Sequence, residues 1–148
     1  MTATGRALGG TVVVDAGPLY AAADSGDSNH HRCAAFLASH PGPLVVPQLV
    51  IAEVTYLIAD RLGTHVELLF LAELVSGGLA TEPVDVSDWE RITELVTRYR
   101  DFPLGTVDAS VIACAERIGV TAVATLDHRH FAAVRPTHTE AFTLLPGR

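Results

Sequence analysis

Lysine is absent from the 148 residues, and all ten bases are arginine. Without lysine the chain cannot build a P-loop phosphate cradle, a pyridoxal Schiff base, a protein kinase or a phosphoacceptor receiver. Bases of any kind are few beside 17 acids, and the formal net charge is −7. That balance argues against a general coater of nucleic acid, because neutralising phosphates needs a basic surface. It leaves room for an enzyme that meets nucleic acid through a metal and a local cluster of arginine. Cysteine is scarce too: Cys33 and Cys114 fit no paired zinc spacing and read as two buried free thiols in a reduced compartment. No apolar run approaches the roughly 20 residues that span a bilayer. The stretch from Ala7 to Ala23 imitates a signal peptide, but Asp15 interrupts it and Gly17-Pro18 follows at once. A cytoplasmic location is therefore expected.

Several catalytic devices are missing as well. There is no G-x-S-x-G elbow for a serine hydrolase. A phosphatase with an aspartyl nucleophile would show a second Asp two residues after the first, and Gly17 stands there. His30-His31-Arg32-Cys33 and His128-Arg129-His130 lack the spacing of a zinc module. They are read as histidines without a metal, with a minor role in holding substrate phosphate left open for 128–130.

What is present is an apolar chain: 49% hydrophobic, 18% charged, mean hydropathy +0.31. This is enough to fill the core of one domain, expected over residues 11–148 behind a loose leader at 1–10. Thr11-Val12-Val13-Val14 reads as a strand buried on both faces. A short helical stretch follows Gly17-Pro18 to about Ala23, then a helix from about Asn29 to Ser39, closed by Pro41-Gly42-Pro43. Leu44–Val46 is a second strand, and Pro47 suits the first turn of a helix to about Leu62. Gly63 ends that helix, and Thr64 is expected to cap another from His65 to Val75. Leu79–Val84 is a third strand. Ser87-Asp88-Trp89-Glu90 reads as a capping box opening the next helix. Thr106 is expected to cap a helix to Ile118, with strands at Ala122–Thr125 and Phe142–Leu145. Strands alternating with helices predict an α/β fold, with a mostly parallel sheet and helices on both faces. In such sheets chemistry gathers at the carboxyl ends of the strands.

Most of the acids have ordinary explanations. Glu94 with Arg98 and Asp88 with Arg91 have helical pair spacing, Asp24 and Asp27 sit in a loop, and Glu73 fits an exposed edge. Four others stand out. Asp15 follows three valines at a strand end. Glu53 interrupts the apolar stripe Val50, Val54, Leu57, Ile58 in the second turn of its helix. Asp108 lies in the first turn of a helix and extends the stripe Val111, Ile112, Ala115, Ile118. Asp127 comes just after the strand at Ala122–Thr125. Each alone can be a helix cap or half of a distant ion pair. Together they occupy strand ends and early helix turns, the positions that an α/β fold brings together. Carboxylates crowded there repel one another unless cations lie among them. Oxygen-only donors favour Mg²⁺ or Mn²⁺ over Zn²⁺, and such a site suits phosphodiester hydrolysis.

Four segments in this order resemble the PIN-domain family and, within it, the VapC-like toxins of bacterial toxin–antitoxin pairs. They are Val12-Val13-Val14-Asp15-Ala16-Gly17-Pro18-Leu19, Val46-Pro47-Gln48-Leu49-Val50-Ile51-Ala52-Glu53-Val54, Pro103-Leu104-Gly105-Thr106-Val107-Asp108-Ala109-Ser110, and Ala124-Thr125-Leu126-Asp127 followed by Phe131. The resemblance spans roughly residues 11 to 135. It implies a PIN-like three-layer sandwich and a Mg²⁺- or Mn²⁺-dependent endoribonuclease with Asp15, Glu53, Asp108 and Asp127 as catalytic and metal-binding acids. One departure is Ala16, where many relatives carry Ser or Thr; the hydroxyl contact is then either missing or supplied by Thr106, Ser110 or Thr125.

The implied partners are an RNA substrate and a cognate antitoxin with an inhibitory tail, in a homodimer or a toxin–antitoxin hetero-oligomer. DNA would be met only through the antitoxin, and no membrane is involved. An Arg of that tail would face Asp15 or Asp108, led there by an amphipathic segment in a groove that the helices Gln48–Leu62 and His65–Val75 would offer. Leu68, Leu69, Leu71 and Leu74 can equally be core or a homodimer face. The alternative is a PIN-like module without catalysis that acts through protein partners.

Overall fold

Val12–Val14 form β1 and are buried on both faces, which is possible only in the middle of a sheet covered on either side. The computed structural model describes residues 10–147. After β1 come α1 (Ala16–Ala23), α2 (His30–Ser39), β2 (Leu44–Pro47), α3 (Gln48–Leu62) and α4 (Thr64–Ser76). The chain continues through β3 (Ala80–Glu82), α5 (Val86–Arg98), α6 (Thr106–Ile118), β4 (Ala122–Ala124), α7 (His128–Ala133) and β5 (Thr143–Leu145). The strands lie in the order β3-β2-β1-β4-β5, and every pairing is parallel. This is the expected α/β architecture, with helices on both faces of the sheet.

The order has a functional consequence. The chain moves from β1 outward through β2 to β3, then returns to β4 on the other side of β1. The switch point, where ligands bind in such sheets, therefore lies between β1 and β4. Val12 pairs with Ala122 and Val14 with Ala124, so Asp15 and Thr125 emerge side by side at the carboxyl ends. The Asp15 N–H donates to the Ala124 carbonyl at 2.9 Å and extends the ladder by one residue.

Helix α6 runs behind the strands with Ala109, Val111, Ile112, Ala113, Cys114 and Ala115 all buried. Its small residues permit close approach on several sides at once. Cys33 and Cys114 are both free and buried, as expected, and burial pushes the Cys114 thiol up to about 12. Among the described residues no helix is long and apolar enough to cross a membrane. The leader expected at 1–10 lies outside the described residues except for Gly10, whose carbonyl accepts a hydrogen bond from His40 Nε2 at 2.6 Å.

Local details differ from the sequence reading where several polar residues compete for one role. The capping box of α5 is formed by Asp85 and Asp88, not by Ser87 and Glu90. Asp85 accepts from the Ser87 N–H at 3.0 Å, and Asp88 accepts from the Asp85 N–H at 2.9 Å. Thr64 and Thr106 are the first residues of their helices, so Gly63 and Gly105 hold the cap positions and neither threonine caps. Gly63 has φ +91°, a conformation that glycine adopts freely. The expected pairs Asp88–Arg91 and Glu94–Arg98 are replaced by longer-range ones. Arg91 makes a two-pronged contact with Glu116 at 2.7 and 2.9 Å and also reaches Glu94 at 3.3 Å. Arg117 bonds Asp88 at 3.0 Å and Glu82 at 2.8 Å. Helices α5 and α6 pack together, and a bidentate fork on a buried carboxylate outcompetes an exposed pair along one helix.

Candidate active site

Asp15 is buried at the end of β1 and does two jobs at once. It is the N-cap of α1, with Oδ1 accepting the Ala16 N–H at 2.8 Å. Its other oxygen, Oδ2, accepts from the Thr125 hydroxyl at 3.0 Å. Capping and convergence are thus compatible readings of one residue. Burial pushes its carboxyl up to about 7; the Ala16 hydrogen bond opposes this only in part, and the charges of Asp108 and Glu53 add to the rise.

Glu53 projects from the second turn of α3 and is exposed to the cleft. Its carboxyl is raised above the ordinary glutamate value, first by partial loss of water and then by the Asp108 charge. Asp108, in the first turn of α6, is half-buried. Burial raises its carboxyl, the neighbouring Asp127 charge raises it further, and His130 opposes the shift. Asp127 is the N-cap of α7: Oδ1 accepts the His130 N–H at 3.1 Å, while Oδ2 lies 2.6 Å from His130 Nδ1.

Asp15, Glu53 and Asp108 line one cavity of about 320 Å³, together with Tyr20, Arg61 and Leu126. Asp127 lines an adjoining cavity of about 410 Å³ with Arg32, His128, Arg129 and, again, Leu126. The structure thus brings three of the expected acids into one cleft and sets the fourth beside it, coupled to Asp108 by charge and to Asp15 through Thr125. Thr125 Oγ1, fully buried, also accepts the Asp127 N–H at 3.0 Å. It supplies the hydroxyl contact that Ala16 lacks; Ser110 turns instead to the Val107 carbonyl at 2.6 Å.

Among the described residues Asp15, Glu53 and Asp108 make no ion pair, and no group of three or more His, Cys, Asp or Glu side chains lies together in a way that could hold a metal ion. The donor set fits a hard divalent cation all the same. Its ligands are all oxygens, its buried member lacks a compensating charge, and Mg²⁺ characteristically binds through one or two carboxylates with water and substrate phosphate completing the shell.

Two residues, one lining the cleft and one holding an acid of it, did not stand out in the sequence as site residues. Arg61 lies eight residues beyond Glu53, a spacing that puts both on one face of a helix, so a signal was there. His130, three residues after Asp127, was read only for a minor phosphate role, whereas it is the carboxylate's direct partner.

A third cavity, of about 440 Å³, lies away from the acids and is lined mainly by apolar side chains including Leu19, Leu37, Val66, Leu69 and Phe70. It runs between α4 and the α1–α2 pair. Of the two helices expected to offer a groove, α3 and α4, which pack on each other, it is α4 that lines this cavity. Leu71 and Leu74 turn partly to the core, while Leu68 and Leu69 are each 58% exposed.

Comparison with known proteins bears on the family and the fold. Ribonuclease VapC26 of Mycobacterium tuberculosis is 33% identical over 135 residues, covering 91% of this chain and all of that protein. The crystal structure of VapC20 from the same species, a sarcin-ricin-loop-cleaving toxin, superposes with a TM-score of 0.71 at 23% identity, covering 76% of this chain and 86% of that one. VapBC2 of Rickettsia felis, solved with a DNA fragment from its promoter, gives 0.65 at 15% identity over 90% and 96% of the two chains. At those identities the two structures speak for the fold. The PIN domain model matches residues 12–135, a span that contains all four rim acids, and with the full-length relative it shows that this chain belongs to the PIN domain family.

Proposed function

We propose that the protein is a Mg²⁺- or Mn²⁺-dependent endoribonuclease, the toxin of a type II toxin–antitoxin pair. The observation that carries this reading is the convergence of Asp15, Glu53 and Asp108 in one open cavity, where none is neutralised and the Asp15 carboxyl is pushed up to about 7. A protein gains nothing in stability from such crowding, so the arrangement fits a site built for a bound cation. Kinship with a ribonuclease supports RNA as the substrate.

Asp15 and Asp108 would be the principal metal ligands, with Glu53 and Asp127 completing the site. When bound, the ion neutralises charge on the phosphate and lowers the pKa of the attacking water. Thr125 holds the Asp15 carboxylate in one orientation, and His130 does the same for Asp127. Glu53, exposed to the cavity with a raised carboxyl, is placed to accept a proton from water better than an ordinary glutamate would at neutral pH.

The cognate antitoxin would lay an amphipathic segment along the apolar groove between α4 and the α1–α2 pair and set an arginine against Asp15 or Asp108. DNA contact would rest with that partner, since this chain is acidic. The proposed location is the cytoplasm, and assembly is as a homodimer or a hetero-oligomer with the antitoxin.

The deciding experiment is cleavage of fluorescent RNA by the purified chain with Mn²⁺ or Mg²⁺, with EDTA, and in Asp108→Asn. Cleavage that needs the metal and falls in the variant is the expected result. A well-folded wild-type chain that leaves every RNA intact with either ion overturns the reading in favour of a binding module.

A further inference from the structure

An acidic protein that holds a polyanion must provide cations locally, and the described arginines fall into three groups. Arg91 and Arg117 are tied to carboxylates on the far side of α6. Arg32, Arg61 and Arg129 are in no ion pair among the described residues, and these three line the two cavities around the acids. Arg98, Arg100 and Arg135 line neither.

The three cleft arginines are exposed yet held in place. The Arg61 guanidinium carbon lies 5.3 Å from the centre of the Tyr20 ring, and Tyr20 is itself fixed by its hydroxyl donating to Asp24 at 2.8 Å. That of Arg129 lies 5.0 Å from the centre of the Phe102 ring, which also packs on His130. Arg32 donates from Nη2 to Asn29 Oδ1 at 3.0 Å. A guanidinium resting on an aromatic face keeps its N–H edge free for a bidentate contact with phosphate. The two cavities meet at Leu126, with Arg61 on one side of it and Arg129 and Arg32 on the other.

We infer that RNA lies across both cavities, with Arg61 holding a phosphate on one side of the scissile one and Arg129 with Arg32 holding a phosphate on the other. The inference rests on the ribonuclease reading above and adds to it a path for the strand and the side chains that fix its register over the acids. These arginines bind and position the substrate; the reacting atoms stay with the acids.

The test uses the full chain carrying Asp108→Asn, so that RNA survives, and follows anisotropy of a short fluorescent single-stranded RNA over a series of salt concentrations with Mg²⁺ present. Arg61→Ala and Arg129→Ala should each weaken binding about fivefold to tenfold and lower the slope of log affinity against log salt by about 0.7, one phosphate contact each. Arg61→Lys should recover most of the slope. Arg98→Ala serves as the control and should change neither quantity. In the cleaving chain the same alanine variants should raise KM while kcat stays within about twofold. If Arg61 serves only as a countercharge to the acids, Arg61→Ala will shift the melting temperature and leave affinity and salt slope untouched, which overturns the inference while wild-type cleavage leaves the ribonuclease reading standing. A fall in kcat at constant KM also overturns it, because the arginines would then act on the chemistry. If the wild-type chain neither binds nor cleaves RNA, both readings fall together.

Discussion

Thr125 donates its hydroxyl to Asp15, a residue 110 positions earlier in the chain, at 3.0 Å. The same oxygen accepts the Asp127 N–H at 3.0 Å, so one buried side chain at the switch point of the sheet fixes the geometry of two acids. The contact exists because β1 and β4 are adjacent and in register, and strand ends are the most rigid places from which to aim a carboxylate.

Thr125→Val keeps the shape but removes both hydrogen bonds, leaving the Asp127 N–H without its acceptor. The loss should be about 1–2 kcal/mol of stability, read from urea unfolding. Cleavage should drop by roughly tenfold, about the 1.4 kcal/mol that one misplaced ligand costs. Thr125→Ser should retain both bonds and most of the rate. A valine variant as active as wild type would mean that Asp15 needs no such anchoring.

The pH dependence of the metal-free fold follows from Asp15. Its folded carboxyl sits near 7 against an unfolded value of 3.8, so the folded state holds the proton more tightly. This contribution is complete below the unfolded value and is lost as pH rises towards 7. Glu53 and Asp108, also raised, act in the same direction. In EDTA, Asp15→Asn should therefore melt progressively higher than wild type as pH goes from 4 to 8, with the gap levelling off above about 7. A gap that is constant with pH would contradict the buried, unneutralised carboxyl.

Metal addition should reverse that penalty. Millimolar Mg²⁺ or Mn²⁺ should raise the melting temperature of wild type at pH 8 through binding to the folded state alone. In Asp15→Asn, Asp108→Asn the metal-free form should melt higher and the metal response should vanish. A response undiminished in the double variant, read by the same thermal scans, would put the ion elsewhere.

Arg117 offers a contrast away from the cleft. It ties Asp88, whose side chain is 8% exposed, to Glu82 on β3. Arg117→Ala leaves Asp88 largely buried without its cation and should cost on the order of 2–3 kcal/mol. That is less than a fully buried pair because the guanidinium still touches water. RNA cleavage per folded molecule should stay at the wild-type level, which separates a structural ion pair from the free cleft arginines.

Much of the architecture was legible in the residues. The run Val12-Val13-Val14 could only be a doubly buried strand, and alternating strand and helix patterns led to the parallel sheet with helices on both faces. The four acids stood out in the sequence because each broke an apolar pattern or ended one. What escaped was who meets whom. Asp88 and Arg91 have the spacing of a helical pair, yet each prefers a partner on another element, where burial strengthens the contact. Helix starts shifted by a residue or two at Asp85, Gly63 and Gly105, since adjacent polar residues are close to equal as caps. The sequence did not say which side of α4 a neighbour covers, because leucines at 68, 69, 71 and 74 point round most of the helix; the structure opens an apolar cavity between α4 and the α1–α2 pair.

Composition and periodicity by themselves determined an acidic, lysine-free α/β chain with carboxylates at strand ends, because hydrophobic period and turn chemistry are local properties of the chain. Tertiary structure alone decided that β4 returns beside β1, which joins Asp15 to Asp127 through Thr125. It also decided that Arg61 and Arg129 line the cleft without a salt bridge among the described residues while Arg91 and Arg117 are held by carboxylates elsewhere. Those outcomes depend on strand order and helix docking, and distance in space, which sets every one of these hydrogen bonds and charge couplings, is not a property of neighbouring residues in a sequence.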